Sequence, residues 1–111
     1  MAGGPYKVHQ QASGGATTVV VAGSTNTGYT SAKGTNQRVY LRGIYLQSDS
    51  SAGTVDIKTQ NAAGTYTSVA LFKVNGGASD SFYVDDGILL ERGMQVVSSS
   101  GITNCVITYT V

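Results

Sequence analysis

Residues 37–47, QRVYLRGIYLQ, form the longest uninterrupted run of strand-forming residues in this 111-residue chain. Strict alternation gives apolar side chains to both faces of such a strand: Val39, Leu41 and Tyr45 on one, and Tyr40, Ile44 and Leu46 on the other. A strand that is apolar on both faces is typical of the centre of a sheet, covered by a second sheet on one side and by loops or a neighbouring subunit on the other. The stretch therefore predicts a central strand. Gly43 in its middle predicts a β-bulge or the close approach of an aromatic ring.

Short segments of the same character, separated by turn residues, make up most of the remaining chain. They span residues 6–10, 17–22, 29–32, 54–60, 65–74, 81–84, 88–90, 94–98 and 102–111. The clearest alternation is TVDIKTQ at 54–60, whose valine and isoleucine face inward while its charged residues face water. This pattern predicts a half-buried strand antiparallel to the one at 37–47. Asp85-Asp86-Gly87 predicts a hairpin corner, and no segment shows helical periodicity.

These features predict an all-β fold: a single-domain antiparallel β-sandwich of eight to ten strands, jelly-roll-like in its succession of segments. An up-and-down barrel is the alternative topology. We expect residues 1–15 to form a flexible N-terminal arm and edge segment, and residues 16–111 to form the sandwich. The arm begins MAGGP, and its two glycines favour mobility.

Composition limits the classes of function. Charged residues make up 12% of the chain and the net charge is +1, with the lysines and arginines scattered, which argues against binding to nucleic acid. No apolar run has the length of a signal peptide or a membrane span, so we expect no membrane contact and assembly in a cytoplasm. Low net charge does little to prevent association, which suits a subunit of an assembly.

The residues that carry chemistry in other proteins are sparse. The only imidazole, His9, lies in a polar edge segment, where we expect a solvent-facing side chain with no catalytic role. Cys105 alternates with apolar residues, which predicts a buried hydrophobe and not a reactive thiol. Asp80, Asp85 and Asp86 raise calcium as an alternative, but two or three carboxylates are fewer oxygens than calcium needs. We predict no enzyme activity, no cofactor and no metal.

Seven tyrosines and no tryptophan are spread over the whole chain. Tyrosine can bury its ring and leave its hydroxyl in water, which suits both subunit interfaces and sugar-binding surfaces. Because the tyrosines are not clustered in sequence, packing and interface roles are favoured. The predicted interface residues are Tyr6, Tyr40, Ile44 and Tyr45.

The segments RVYLRGIYLQSDSSAGTVDIKT, at 38–59, and GILLERGMQVVSSSGITNCVITYTV, at 87–111, resemble small jelly-roll-like virion proteins of tailed bacteriophages. The likeness lies in a strand, loop and strand ending in GTVDIK, in the DDGILLERGM corner, and in a closing strand rich in valine, isoleucine and tyrosine. Residues 1–36 resemble nothing we can name.

This resemblance implies a non-enzymatic structural protein of the virion. The expected role is that of a capsid decoration or cement protein that binds the assembled head, forms a homo-oligomer with a trimer favoured, and contacts the major capsid protein. The alternative is a receptor- or glycan-binding module of a tail or head fibre, which would bind through loops 48–53 and 75–81.

Overall fold

The structure is a computed structural model, and it describes residues 6–11, 15–22, 38–61 and 63–111. The described residues form eight strands: β1 Lys7–Gln11, β2 Thr17–Ala22, β3 Val39–Ser48, β4 Gly53–Gln60, β5 Tyr66–Val74, β6 Ser79–Leu90, β7 Gly93–Ser98 and β8 Ile102–Thr110. None of these residues belongs to a helix that could cross a membrane. The mobile arm predicted at 1–5 and the short strand predicted at 29–32 lie outside the described residues.

The strands form two four-stranded antiparallel sheets. Sheet A has the order β1-β8-β3-β6 and sheet B the order β2-β7-β4-β5. The first four strands therefore pair with the last four in reverse order, β1 with β8, β2 with β7, β3 with β6 and β4 with β5. Pairing of β3 with β8 and of β4 with β7 completes the sheets. A long hairpin rolled up in this way is a jelly roll.

This topology confirms the predicted β-sandwich and shows that the alternative of an up-and-down barrel is wrong. It also corrects the predicted partner of β4. The strand does not pair with β3, because the chain crosses from sheet A to sheet B between Ser48 and Gly53 and β4 then pairs with β5 and β7. Val55 and Ile57 face the interior and are fully buried, as predicted.

A bulge in the middle of β3 decides which of its side chains face the core. From Leu41 to Gly43, β3 advances two residues while its partner β8 advances one, from Tyr109 to Thr108. The extra residue reverses the alternation of faces. All four aliphatic residues of the strand consequently lie in the core: Val39, Leu41, Ile44 and Leu46.

The predicted central position of β3 and the predicted bulge at Gly43 are confirmed. The predicted division of apolar residues between two faces is wrong, because it assumed unbroken alternation. Ile44 is 3% exposed and lies on the inner face, whereas Tyr45 is 36% exposed and lies on the outer face with Tyr40.

The predicted corner at Asp85-Asp86-Gly87 does not turn the chain. These residues lie inside β6, which runs unbroken through the segments predicted as two separate strands. Opposite the bulge in β3, the register of β6 jumps from Ile88 to Tyr83, so residues 84–87 form a bulge in β6. Gly87 has a φ of +81°, which favours glycine. A glycine with positive φ occurs in β-bulges as well as in hairpin turns. The sequence Asp-Asp-Gly does not distinguish the two, so it predicted a hairpin corner.

The core is filled by both sheets. Its fully buried members include Leu41, Leu46 and Ile107 from sheet A and Ile57, Met94 and Val96 from sheet B. At the β5–β6 side, the rings of Phe72 and Phe82 approach to 5.2 Å between centroids across the two sheets. Burial of each large aliphatic side chain stabilises the fold by about 1.5–3 kcal/mol, so this interior is the main source of stability.

Candidate functional site: the outer face of sheet A

The outer face of sheet A carries the accessible residues that the sequence predicted for an interface. Tyr6 precedes β1 and is 68% exposed, Tyr45 is partly exposed, and Tyr40 is half-buried. Ile44, the fourth predicted residue, lies in the core on the opposite side of β3. The bulge thus brings Tyr40 and Tyr45 to one face and removes Ile44 from it.

Further exposed apolar residues on this face were not singled out from the sequence. Val8 of β1 lies opposite Thr108, and Tyr83 and Leu89 of β6 lie opposite Gly43 and Tyr40. Tyr83 is 80% exposed. The signal that could have identified it was Gly43, because a glycine in a central strand often accommodates an aromatic ring from the neighbouring strand.

The ring of Tyr83 lies against the backbone of Gly43. A β-carbon added at Gly43 would stand 2.8 Å from Cδ1 and 2.9 Å from Cε1 of Tyr83. This contact confirms the predicted approach of an aromatic ring. It also places the tyrosine ring along the sheet surface, beside the bulged residue Arg42.

Arg42 connects the two bulges. Its Nη1 donates a hydrogen bond of 2.6 Å to the carbonyl oxygen of Asp85, and its Nε donates one of 3.4 Å to Oγ1 of Thr110. Its guanidinium carbon also lies 5.9 Å from the ring centroid of Tyr6, within the range of a cation–π contact. Arg42 therefore occupies the place where the bulges interrupt the ladder and fixes the position of β6 and of Tyr6.

These residues surround an open depression of about 300 Å³. It is lined by Tyr6, Arg42, Tyr83, Val84, Asp85 and Thr108. Two exposed tyrosines, an arginine, an aspartate and a threonine thus share this surface, beside Gly43 of β3. Such a mixture of apolar walls and a few placed polar groups is common in binding sites.

The structure places His9 away from this face. It lies on the inner side of β1, opposite Ile107, and its Nε2 is 2.8 Å from Oε1 of Gln11. Gln11 in turn donates a hydrogen bond of 3.2 Å to Oγ of Ser98 in sheet B. The prediction of a solvent-facing histidine is wrong, because the pairing of β1 with β8 turns this side chain towards the interior. His9 and Gln11 belong to a polar contact between the sheets.

Cys105 is buried in β8 with no disulfide partner, as predicted. Burial raises the pKa of its thiol from 9.0 to about 12. At neutral pH the thiolate, which is the nucleophilic form, is therefore strongly disfavoured.

The three aspartates considered for calcium lie in β6, and a further aspartate, Asp49, lies in the loop before β4. Oδ1 of Asp49 accepts a hydrogen bond of 2.8 Å from the backbone N–H of Ser51, and Oδ1 of Asp80 accepts one of 2.9 Å from that of Ser81. Within the described ranges, no group of three or more His, Cys, Asp or Glu residues is placed to hold a metal ion.

The two loops named in the glycan-binding alternative come together at one end of the sandwich. The backbone N–H of Ser48 donates a hydrogen bond of 3.0 Å to the carbonyl of Ala78, and the N–H of Gly77 donates one to the carbonyl of Asp49. Oγ of Ser48 donates a further one, of 2.5 Å, to the carbonyl of Asn75. The result is a closely packed polar loop surface.

The fold and this face describe a small jelly-roll protein with an exposed aromatic surface. No protein-family model and no curated protein matches the chain. Two solved structures are similar to it. One is described as showing that Bacillus endospore appendages form a novel family of disulfide-linked pili; it is 15% identical, with a TM-score of 0.49 over 96% of this chain and 85% of that chain. The other, a crystal structure of PirA, is 12% identical, with a TM-score of 0.47 over 95% of this chain and 91% of that chain. Neither is described as a phage protein, and likenesses of this degree carry no information on function.

Proposed function

We propose that this chain is a non-enzymatic structural subunit that associates with further copies of itself through the outer face of sheet A. The observation that carries the proposal is the set of exposed apolar side chains on that face: Tyr6, Val8, Tyr45, Tyr83 and Leu89. Tyrosine and arginine are enriched at the energetic centres of protein interfaces, and Arg42 lies among these residues. A net charge of +1 adds little repulsion between copies.

The sheet edges support association through a face in preference to strand addition. Three of the four edge strands are irregular: β2 between Val19 and Val21, β5 beside Lys58, and β6 at its large bulge. The fourth, β1, has only five residues. Bulges and short lengths are the means by which edge strands resist pairing with another chain.

The finer proposal is that the assembly is a phage virion, in which the chain is a capsid decoration or cement protein, a homotrimer favoured, in contact with the major capsid protein. It rests on the sequence resemblance at 38–59 and 87–111. A protein of this kind binds the assembled shell and stabilises it, because binding to one state shifts the equilibrium towards that state. Assembly would take place in the host cytoplasm.

Size-exclusion chromatography with light scattering tests the self-association. We expect a mass near three times the 11.4 kDa of one chain. Leu89→Ser and Tyr83→Ser on sheet A should lower this mass, whereas Leu71→Ser, which changes an exposed residue of sheet B, should not. A chain that stays at 11.4 kDa at high concentration, or equal effects of the three variants, would refute the role of this face.

Imaging of purified virions tests the finer proposal separately. The expected result is density for a two-sheet body on the head surface, at positions that bring copies of the chain together. If the protein is absent from intact particles that carry its gene, the decoration role is wrong even where self-association holds.

The glycan- or receptor-binding alternative is favoured by the contact between loops 48–53 and 75–81, which the structure places side by side. Neither loop contains an aromatic residue on which a sugar ring could stack. Replacement of Ser50 and Ser79 by arginine would block a ligand at this surface. Unchanged attachment to host cells after that replacement would exclude these loops as the receptor site.

A further inference from the structure

We infer that the depression between Tyr6 and Tyr83 is a binding site for one ring of a neutral saccharide. The ligand would bind to the single chain, because Tyr6 and Tyr83 also belong to the face proposed for self-association and would be covered in the assembly. The depression differs from the loop site of the alternative function, which lies at another part of the molecule.

The aromatic rings supply the first requirement of such a site. A pyranose whose hydroxyls are equatorial presents C–H groups on its flat faces, and these pack against the electron-rich face of an aromatic ring. The Tyr83 ring is held flat by Gly43, which has no β-carbon to push it away. Tyr6 is the second ring, and the guanidinium carbon of Arg42 lies 5.9 Å from its centroid. Both rings are largely exposed, so neither is needed for the core.

Polar groups supply the second requirement, which is recognition of hydroxyls. The lining contains Asp85, Thr108 and two tyrosines, residues whose side chains carry a carboxylate and hydroxyls. Carboxylates accept hydrogen bonds from sugar hydroxyls, and hydroxyl groups can donate as well as accept. The hydrogen bonds of Arg42 to Asp85 and Thr110 link β3 to β6 and to β8, which orders the walls of the site before a ligand arrives.

Volume and charge narrow the ligand class. A volume of about 300 Å³ lies at the small end of ligand sites, which fits one sugar ring and not a long oligosaccharide. The lining carries one cation, Arg42, and one anion, Asp85, so it has no net charge to attract a charged ligand. A neutral hexose or N-acetylhexosamine is therefore preferred over an acidic sugar.

The test is a titration of the ¹⁵N-labelled chain carrying Leu89→Ser, a substitution outside the lining that is expected to lower the mass towards that of a single chain, followed by amide chemical shifts. The probes are methyl β-D-glucopyranoside, N-acetylglucosamine and, as the acidic arm, glucuronate, each raised to about 50 mM to cover millimolar affinity. We expect saturable shifts at Arg42, Asp85 and Thr108 with at least one neutral sugar. No saturable shift with either neutral sugar, shifts at loops 48–53 and 75–81 instead, or binding of glucuronate alone would overturn the inference.

Variants separate the site from general effects. Tyr83→Ala and Tyr6→Ala should each weaken binding by about tenfold, because each removes one stacking ring. Tyr83→Phe should retain binding through stacking, and Tyr45→Ala, on the same face but outside the lining, should bind as the unmodified chain does. Because Tyr6 precedes β1 and is exposed, Tyr6→Ala remains informative even if Tyr83→Ala disturbs β6. Unchanged affinity in Tyr6→Ala and Tyr83→Ala would contradict the assignment.

Discussion

Substitution of the neighbouring residues Ile44 and Tyr45 by alanine tests the bulge that organises β3. In the structure the Ile44 side chain lies in the core and the Tyr45 ring on the outer face of sheet A. Without the bulge, strict alternation would place Tyr45 in the core with Val39 and Leu41, and Ile44 would lie outside. The two arrangements predict opposite rankings of the two variants.

The magnitudes follow from burial. Ile44→Ala removes a nearly fully buried aliphatic side chain and leaves a cavity, so we expect a loss of about 2–5 kcal/mol in the free energy of unfolding. Tyr45→Ala removes a partly exposed ring that contacts its cross-strand neighbours, at a cost of about 1 kcal/mol or less. In urea, with a slope of about 1–3 kcal/mol per molar, a loss of about 3 kcal/mol lowers the midpoint by about 1–3 M.

Urea unfolding monitored by far-ultraviolet circular dichroism measures both losses, since the chain contains no tryptophan. Each variant is measured at two protein concentrations, because association through the outer face would make the midpoint depend on concentration. A larger loss for Tyr45→Ala than for Ile44→Ala, independent of concentration, would show that β3 alternates without a bulge. The proposed outer face would then be wrong as well.

Three further predictions concern the glycines and the cysteine. Gly101→Ala should lower the free energy of unfolding by about 1–3 kcal/mol, because its β-carbon would stand 2.5 Å from the backbone oxygen of Ala52; full stability in thermal unfolding would contradict this contact. Gly43→Ala should be destabilising with Tyr83 present and much less so in the Tyr83→Ala background; a double-mutant cycle with no coupling would refute the ring contact. Cys105, with a pKa raised to about 12 by burial, should fail to react with a thiol reagent at pH 8 in the folded chain and react after unfolding in urea; rapid reaction in the folded chain would contradict its burial.

The fold class could be predicted from the sequence because strand periodicity and turn residues are local signals. The segment at 54–60 shows this most clearly: its alternation predicted the buried positions of Val55 and Ile57, and the structure confirms both. The pairing partner of that segment was not a local signal. The chain crosses to the other sheet through 48–53, and only the whole topology shows that β4 joins β5 and β7.

The candidate site was predicted in part, and the errors have one physical origin. Assignment of faces along a strand is a cumulative count, so a single bulge changes every position beyond it. Gly43 indicated the bulge. The prediction did not apply the resulting exchange of inner and outer faces to Ile44 and Tyr45, which follow it in β3. In β6, the glycine at Asp85-Asp86-Gly87 predicted a reversal of the chain where the structure has a bulge. Tyr83 was therefore assigned to a separate short strand and its position beside Gly43 was missed.

The pairing of early strands with late ones has a consequence for the synthesis of this protein. Lys7 stands opposite Tyr109, and β8 lies between β1 and β3, so sheet A lacks an inner strand until the ribosome has released residues 102–110. Contacts between parts of a chain that are distant in sequence form slowly, because a long loop must close before they contribute. During translation, the edges of β1 and β3 that later pair with β8 therefore have no partner strand. A chain that stalls before β8 is made exposes these edges to other nascent chains.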